Sequence, residues 1–325
     1  MIGNAHIDPV WLWQWQEGFQ EIKASFASAL DRMDEYDQFI FSCSSSAFYE
    51  WIEHNDSSLF ERIKKRVKEG RWNLAGGWWV QSDCNIPCGE SFVRQALYGQ
   101  RYLLEKFGKI AHYGYNPDSF GHHAMLPQIL SKSGCKSYVF MRPMPHEKTL
   151  EGRTFRWKSC DGSEVIAFRI PFEYCTWPKE LHDSVLRCVD EIAQPFGEVM
   201  CFYGVGNHGG GPTKQNIESI IAMMKSDKKF SVQFSSVDDF FNSAQPYKET
   251  FPLYSGDLQH HASGCYAAHS NIKLLNSLAE QTLLDAEKLC TLAALLEHHQ
   301  YPTDFDHAWK QVLFNQFHDI QAGTS

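Results

Sequence analysis

His6 and Asp8 stand two positions apart, directly after a short apolar stretch that is typical of a β-strand. Side chains two positions apart on a strand point to the same side, so an imidazole and a carboxylate could converge on one cation beyond the strand. Trp11 follows a few residues later, and its indole could stack against the apolar face of a sugar. Because His-x-Asp also occurs by chance, the pair indicates a metal site only if the rest of the chain supplies further ligands.

Asp118 is a third candidate ligand, in a segment that reads Asn-Pro-Asp-Ser-Phe-Gly. Pro117 has a fixed φ and forces the preceding Asn116 to be extended, so we expect Asp118 to be held rigidly after a strand. The alternative is that Asp118 caps a helix that begins near His122, which is a common role for an aspartate. The sequence leaves both interpretations open.

His318 lies near the end of the chain, in a segment that reads Phe-Asn-Gln-Phe-His-Asp-Ile. Alone, it would be interpreted as a surface or capping histidine. Together with His6, Asp8 and Asp118 it completes a set of nitrogen and oxygen ligands, which suits a borderline divalent cation such as zinc.

Two further segments carry candidate binding residues. Trp78 and Trp79 follow a Gly-Gly pair and could form a flat apolar wall, with Asp83 as a hydrogen-bond acceptor, although paired indoles equally suit a core. Residues 204–213 form a glycine-rich segment that contains Asn207 and His208. The segment lacks the Gly-Lys-Ser/Thr of a P-loop and the spacing of a dinucleotide fingerprint, so we expect it to let the backbone approach a ligand closely.

Strand-like and helix-like segments alternate through the first two thirds of the chain, which predicts β/α units around a parallel sheet. Seven or eight such units favour a barrel over an open sheet. The candidate segments follow predicted strands, and in parallel β/α folds active sites are built at the carboxyl ends of strands. The predicted strands are residues 2–6, 38–42, 72–75, 112–115, 137–141, 164–169, 199–205 and 230–234.

Predicted helices include residues 59–68, ended by Gly70, and residues 92–107, ended by Gly108. After about residue 245 the pattern changes to a loop rich in proline and glycine. A leucine-rich helix is then predicted over residues 271–296, and a second helix from residue 304 to about residue 317. Because two helices alone bury little, we expect the third helix of a bundle beyond residue 325.

The composition excludes several classes of partner. With 325 residues, of which 43% are hydrophobic, the chain can bury a large core. Its net charge of −9 argues against nucleic acid or an anionic membrane and favours a neutral or polar ligand. Ten cysteines without a Cys-x-x-Cys pair favour a reducing, cytoplasmic compartment. No signal peptide or membrane span is expected, and homo-oligomerisation stays open.

Five motifs together resemble the family 38 glycoside hydrolases, the α-mannosidases, and they occur in the family's order across essentially the whole chain. The motifs are His6-Ile7-Asp8-Pro9-x-Trp11, Asn116-Pro117-Asp118-Ser119-Phe120-Gly121-His122, Arg142 after an apolar strand, Gly206-Asn207-His208-Gly209-Gly210-Gly211-Pro212-Thr213, and Phe317-His318-Asp319-x-x-x-Gly323-Thr324.

The resemblance implies one Zn²⁺ per chain, held by four ligands, and a retaining hydrolysis of terminal α-linked mannose. Asp118 would be both a ligand and the nucleophile, Trp11 would stack under the sugar, and Arg142 would lie close to the nucleophile. It also implies an irregular seven-stranded (β/α) barrel, here residues 1–245, and part of a three-helix bundle, here residues 246–325. The large β domains of the family would lie outside this chain. The implied ligands are His6, Asp8, Asp118 and His318.

Physical chemistry fits this implication. Mannose has cis hydroxyls at C2 and C3, which a Lewis-acidic zinc can chelate, and this favours flattening of the ring toward an oxocarbenium-like transition state. Asp118 could then attack C1, and the product would retain its anomeric configuration. We expect the α-mannoside glycan to contact Trp11, Arg142, Trp78, Asp83 and Asn207.

One departure concerns the general acid/base. Many members of the family carry an acidic residue in or near the glycine-rich loop, where this chain has Asn207 and His208. His208 is a candidate proton donor, and Asp83 and Asp257 are alternatives.

Two other functions remain possible from the sequence. A zinc-dependent polysaccharide deacetylase also uses His and Asp ligands at strand ends, but it activates a water instead of a carboxylate nucleophile. A non-catalytic sugar-binding module would use Trp11, Trp78 and Trp79. The Asn-Pro-Asp-Ser-Phe-Gly motif with the distant His318 favours the glycosidase.

Overall fold

The strands form two sheets in a computed structural model that describes residues 1–206, 209–226, 229–297 and 299–324. One sheet has four parallel strands in the order β3-β2-β1-β8, and the other has five strands in the order β4-β5-β7-β6-β9. The strands are β1 (Ile2–Asn4), β2 (Phe41–Cys43), β3 (Trp72–Leu74), β4 (Tyr113–Asn116), β5 (Ser137–Phe140), β6 (Thr154–Lys158), β7 (Glu164–Arg169), β8 (Phe202–Tyr203) and β9 (Leu253–Ser255).

The four-stranded sheet is buried on both sides, as its apolar composition leads one to expect for parallel strands. β1 lies in its interior, with Gly3 opposite Phe41 of β2 and Tyr203 of β8. Phe41 packs edge-on against Trp72 with 4.8 Å between the ring centroids, and both side chains are buried. Burial of each such side chain contributes about 1.5–3 kcal/mol, which fixes the strand that precedes His6.

The five-stranded sheet combines parallel and antiparallel pairs. β4, β5 and β7 are parallel, β6 forms an antiparallel pair with β7, and β9 is parallel to β6. Seven of the predicted strands overlap an observed strand, whereas β6 and β9 were not predicted. The strand predicted at residues 230–234 is wrong, because both edges of β1 are already paired; near Met1 the chain makes one backbone contact from Gln233 and one from Ser235, which follows the segment.

The prediction of an α/β fold built on parallel strands is confirmed. The seven strands expected for a barrel are divided between the two sheets, four in one and three in the other, and the described residues show no strand pairing between the sheets. Within the described residues, no helix is both long and apolar enough to cross a bilayer.

Eleven α-helices of the described residues surround the sheets. The predicted ends of two of them are confirmed, since Gly70 and Gly108 have φ values of +76° and +68°, which glycine adopts without strain. The helices are α1 (Trp15–Glu35), α2 (Ser46–Asn55), α3 (Ser57–Lys68), α4 (Gly89–Phe107), α5 (Leu126–Lys132), α6 (Leu181–Val189), α7 (Lys214–Ser226), α8 (Val237–Ala244), α9 (Ser270–Leu296), α10 (Phe305–Phe314) and α11 (His318–Ala322).

The long helix α9 matches its prediction, whereas α10 ends at Phe314, before the predicted end. In α9 only Asn276 and Glu280 are buried. The boundary at residue 245 stays a prediction, although β9 extends the sheet pairing past that point. Leucines of α9 that are half or more exposed are Leu274, Leu275, Leu278, Leu289, Leu292, Leu295 and Leu296.

Candidate metal centre

Four buried side chains from three separate parts of the chain meet at one point. His6 and Asp8 follow β1, Asp118 follows β4, and His318 is the first residue of α11. One ligand atom from each of the four lies within 4.8 Å of all the others. The structure therefore brings together the four residues that the sequence nominated as ligands.

The shortest approach joins His6 Nε2 and Asp8 Oδ1, at 2.8 Å. Asp118 Oδ2 lies 3.7 Å from both His6 Nε2 and His318 Nε2. His318 Nε2 also lies 3.7 Å from Asp8 Oδ1. Most of these separations are too long for a hydrogen bond but allow the four groups to share one ion between them.

Several atoms of this cluster are buried without a hydrogen-bond partner. They are both ring nitrogens of His6, Oδ1 of Asp8 and Nε2 of His318; the 2.8 Å approach of His6 Nε2 to Asp8 Oδ1 lacks the angular geometry of a hydrogen bond. Leaving a buried polar atom unpaired costs about 1–3 kcal/mol, so several such atoms at one point indicate a ligand. Two imidazoles and two carboxylates are the donors that zinc binds in proteins, and the residues therefore fit a divalent cation of this kind.

The orientation of His318 is fixed by the segment that follows β3. His318 Nδ1 donates to the carbonyl of Gln81 at 2.9 Å, so Nε2 is the ring nitrogen that faces the cluster. Ser82 and Phe317 form an isolated bridge, and the backbone N–H of Asp83 donates to Gln316. This contact ties the C-terminal helices to the strand ends.

The charges of the cluster shift its pKa values. Burial opposes protonation of His318, but the nearby carboxylates of Asp118, Asp319 and Asp8 outweigh it and raise the pKa of His318 to about 9. Burial likewise opposes ionisation of Asp118, but His318, His6 and Arg142 hold the pKa of its carboxyl well below the usual range. A cation bound by these carboxylates would compete with the proton on His318.

Arg142 contacts the other side of Asp118. Its Nε donates to Asp118 Oδ1 at 2.6 Å, and its carbonyl accepts from His122 Nε2 at 2.7 Å. His122 in turn accepts from the Tyr138 hydroxyl through Nδ1 at 2.8 Å, and burial lowers the pKa of His122 to about 3. A buried neutral histidine thus anchors the backbone of Arg142.

Asp118 does not cap a helix. The next helix, α5, begins at Leu126, and its N-cap position is occupied by Met125. The alternative interpretation of Asp118 as a helix cap is therefore wrong. Its side chain lies in the cluster and is 13% exposed, which is more than any of the other three.

Trp11 follows Asp8 closely in the chain and is partly exposed. Its ring packs edge-on against Trp13, with 5.5 Å between the centroids, and Trp13 Nε1 donates to the carbonyl of Asp8. The structure thus connects the Trp11 indole to the backbone of Asp8 through Trp13.

The paired indoles after β3 require a correction. Trp78 and Trp79 are both buried in core clusters, so they do not form an exposed wall for a sugar. Asp83 is also buried, and it accepts from the backbone N–H groups of Asn85 and Ile86 at 2.8 and 2.7 Å. Burial raises the pKa of Asp83. These contacts give Asp83 a structural role in a turn.

Asn207 and His208 lie outside the described residues. Beyond β8, the described residues Val205 and Gly211 form an isolated bridge. A Cβ on Gly204 would lie 2.4 Å from the carbonyl of Asn4, so only glycine fits beside β1. The glycine-rich segment therefore begins next to the strand that precedes His6.

Glu173 and Tyr174 also lie at the site and were not predicted from the sequence. The ring of Tyr174 is 4.8 Å from that of His6, and the Tyr174 carbonyl accepts from Asn4. Glu173 is exposed, but partial withdrawal of its carboxyl from water raises its pKa, with Arg142 opposing and Asp118 reinforcing the shift. Their position soon after the predicted strand at residues 164–169 was the signal that could have identified them.

The chain matches two family models. The model described as the N-terminal domain of glycosyl hydrolases family 38 matches residues 1–257. The model described as the α-mannosidase middle domain matches residues 260–325.

Relatives and a solved structure extend over nearly the whole chain. α-Mannosidase G of Dictyostelium discoideum is 32% identical over 100% of this chain, and α-mannosidase 2C1 of Homo sapiens is 31% identical over 99%. The chain spans only 30% and 31% of the lengths of these two relatives. The crystal structure of an α-mannosidase from Enterococcus faecalis V583 superimposes with a TM-score of 0.86 and 21% identity, covering 99% of this chain and 38% of that chain, which shows a common fold.

Proposed function

The chain belongs to family 38 of the glycosyl hydrolases, and from this membership we propose that it carries the active site of a zinc-dependent retaining α-mannosidase. The observation that carries the proposal is the buried cluster of two histidines and two aspartates, in which ligand atoms of His6, Asp8 and His318 lack hydrogen-bond partners. The substrate would be a terminal α-linked mannose of a glycan or manno-oligosaccharide.

Zinc would be held by His6, Asp8, Asp118 and His318. When bound, it would supply Lewis acidity toward the cis hydroxyls of mannose. The chain's own contribution is to hold the ligands in place, through the Gln81 carbonyl on His318 and through Arg142 on Asp118.

Asp118 is the proposed nucleophile. The positive groups around it keep its carboxyl ionised, and it is the most accessible member of the cluster. Attack of Asp118 on C1 would form a glycosyl-aspartate and expel the leaving group, and water would then hydrolyse that ester with retention of configuration. Trp11 would pack against the sugar beside Asp8.

The general acid/base requires a second group that can exchange a proton. His208 and Asn207 stay candidates for the acid/base and for substrate binding, respectively. Asp257 forms an exposed ion pair with Lys148, and Asp83 is enclosed in a turn, so neither presents a free proton to the site. We propose Glu173 for this role, since it is exposed, adjoins Tyr174 at the cluster and has a raised pKa.

We also propose how the sheets and the C-terminal helices are arranged. The two sheets would form the walls of an irregular seven-stranded barrel, and α9 with α10 would belong to a three-helix bundle. The exposed leucines of α9 support a further helix there, supplied by the part of the relatives that this chain does not span. Pairing of β9 with β6 favours a domain boundary some residues after the expected position at 245.

We also propose a cytoplasmic location and a glycan partner. The ten cysteines are free thiols in the structure, which is compatible with the proposed cytoplasmic location. A glycan substrate is proposed as the main partner, and homo-oligomerisation is left open.

The deciding experiment measures metal content and covalent trapping in the full-length protein. We expect stoichiometric zinc, hydrolysis of an aryl α-mannoside, and a mass-shifted peptide containing Asp118 after treatment with a fluorinated mannoside. Zinc without hydrolysis or adduct would favour the deacetylase alternative. Sugar binding without zinc or adduct would favour a binding module, and an adduct on another carboxylate would overturn the assignment of Asp118.

A further inference from the structure

A line of side-chain contacts leads from Asp118 through Arg142 to two residues that lie outside every motif. Arg142 Nη1 lies 3.0 Å from His261 Nε2, and His261 Nδ1 lies 2.7 Å from Glu147 Oε1. The side chains of His261 and Glu147 are 19% and 20% exposed. His261 lies in the segment between β9 and α9, beyond both sheets.

The chemistry of arginine fixes the direction of these hydrogen bonds. A guanidinium carries donors only, so Arg142 Nη1 donates and His261 Nε2 accepts through its lone pair. The proton of a neutral imidazole then resides on Nδ1, which donates to the carboxylate of Glu147. His261 is thereby restricted to one tautomer between a cation and an anion.

Neighbouring groups fix the positions of Glu147 and His261. The backbone N–H of Met144 donates to Glu147 Oε2 at 2.7 Å. The ring of Phe120 lies 5.8 Å from that of His261 and 5.6 Å from that of His318, so one aromatic side chain packs against both histidines. His261 is therefore tied to the metal cluster by packing as well as by hydrogen bonds.

We propose that His261 is a positioning residue that fixes the guanidinium of Arg142 and, through it, the rotation of the Asp118 carboxylate. Arg142 Nε donates to Asp118 Oδ1 at 2.6 Å. The other carboxylate oxygen, Oδ2, therefore faces His6 and His318. Without His261, the guanidinium would lose one of the two side-chain acceptors that it has among the described residues and could rotate. This inference rests on the proposed function, because it names a support for the same site.

The test compares two replacements of His261 in the full-length protein. His261→Ala removes the acceptor and should lower kcat on an aryl α-mannoside by roughly 10- to 100-fold, as loss of a supporting partner at a metal site does, with KM within about threefold. In His261→Gln the amide can still accept from Arg142 and donate to Glu147, so kcat should stay within about threefold of wild type. Equal losses in both variants, or kcat unchanged in His261→Ala, would overturn the proposal.

A double-mutant cycle separates action through Arg142 from general damage. In an Arg142→Lys background, His261→Ala should lower kcat by less than about twofold, because the contact that it removes is already lost. Fully additive losses would show that His261 acts independently of Arg142. The exposed neighbour His260 provides the matched control, and His260→Ala should leave kcat unchanged.

A spectroscopic measurement decides the inference without reference to turnover. At matched cobalt content, the visible absorption of the cobalt-substituted protein should change in His261→Ala, because Asp118 is reoriented, and should match wild type in His261→Gln. Identical spectra in all three proteins would overturn the positioning role. Absence of hydrolysis by the wild type would instead count against the proposed function, while the cobalt spectra would still decide the role of His261.

Discussion

The strand ends and the C-terminal helices supply ligands to the same cluster, but they differ in how completely their own side chains are covered. His6, Asp8 and Asp118 are buried where β1 and β4 end. On α9, by contrast, the buried residues are polar, Leu283 and Leu284 pack partly buried against the core, and the other leucines are half or more exposed. The difference indicates that α9 is attached through these two leucines and a polar stripe centred on Glu280, whereas the rest of its apolar side is uncovered in the described residues.

The polar stripe is centred on Glu280. One of its carboxylate oxygens accepts from the backbone N–H of Cys88, the hydroxyl of Ser91 and the amide of Gln316. Gln316 lies two residues before His318, so the stripe positions the segment that carries the last ligand. A buried, fully hydrogen-bonded network of this kind defines one geometry more strictly than apolar packing does.

The largest effect is expected at the strand ends. Asp118→Asn should lower kcat about 10³-fold or more, because an amide cannot act as the nucleophile. Hydrolysis of an aryl α-mannoside by the full-length protein measures this loss. Asp257→Asn, which changes an exposed carboxylate, should stay close to wild type. Comparable losses in both variants would contradict the role of Asp118.

The helical side of the cluster is tested by His318→Ala. Zinc affinity should fall by at least about 100-fold, because loss of supporting partners alone costs 10- to 100-fold at metal sites. Competition with a chelator measures the change. His307→Ala, an exposed histidine on the neighbouring α10, should leave the affinity unchanged. Retained affinity in His318→Ala would mean that the strand ends bind the ion alone.

Replacement of Glu173 tests whether a residue near the strand ends protonates the leaving group. Glu173→Gln should lower kcat/KM by about 10²-fold for a mannoside with a poor leaving group, which needs protonation to depart. An activated aryl mannoside needs little protonation and should be cleaved into the glycosyl-enzyme at a nearly unchanged rate. An equal loss on both substrates would argue against an acid role and for a defect in binding.

The polar stripe of α9 is tested by Glu280→Ala. This change leaves buried donors on Cys88, Ser91 and Gln316 without an acceptor, so the free energy of unfolding should fall by about 2 kcal/mol. Urea unfolding of the full-length protein, followed by tryptophan fluorescence, measures it. Glu280→Gln retains a carbonyl acceptor and should lose less. If Glu280→Ala and Glu280→Gln are equally stable, the hydrogen bonds of the stripe do not contribute measurably to the free energy of unfolding.

The smallest effect is expected on the exposed side of α9. If a further helix covers this side in the full-length protein, Leu289→Gln should lower the free energy of unfolding by about 1.5 kcal/mol. Lys288→Gln, one residue earlier and exposed, should change it by less than about 0.5 kcal/mol. If neither variant changes the free energy of unfolding, the leucines are uncovered in the full-length protein as well. The strand ends would then be buried and this side of α9 exposed in the full-length protein too.

Local sequence patterns were sufficient to predict a helix or strand whose boundaries depend only on its own residues. β7 and α9 were predicted almost residue for residue, since apolar periodicity and flanking breakers mark both. β6 was missed although its partner β7 was found and Gly162 turns the chain between them. The error at residues 230–234 arose because a sequence pattern cannot show whether a neighbouring strand has a free edge.

The site was predictable to the extent that single motifs carry it. The four candidate ligands belong to motifs that could be aligned with a known family, and the structure places them together. Trp78 was assigned to substrate binding because an indole pair has the same spacing in a core and on a surface. His261 was missed because its contact with Arg142 spans 119 positions and leaves no local pattern.

The four candidate ligands also lie far apart along the chain. His6 follows β1 and His318 begins α11, so both can contact one ion only after the chain has been synthesised through α11. An ion held by both would close that long loop and thereby disfavour the unfolded chain. If His318 is required for tight binding, retention of metal would then report that the C-terminal helices have docked against the strand ends.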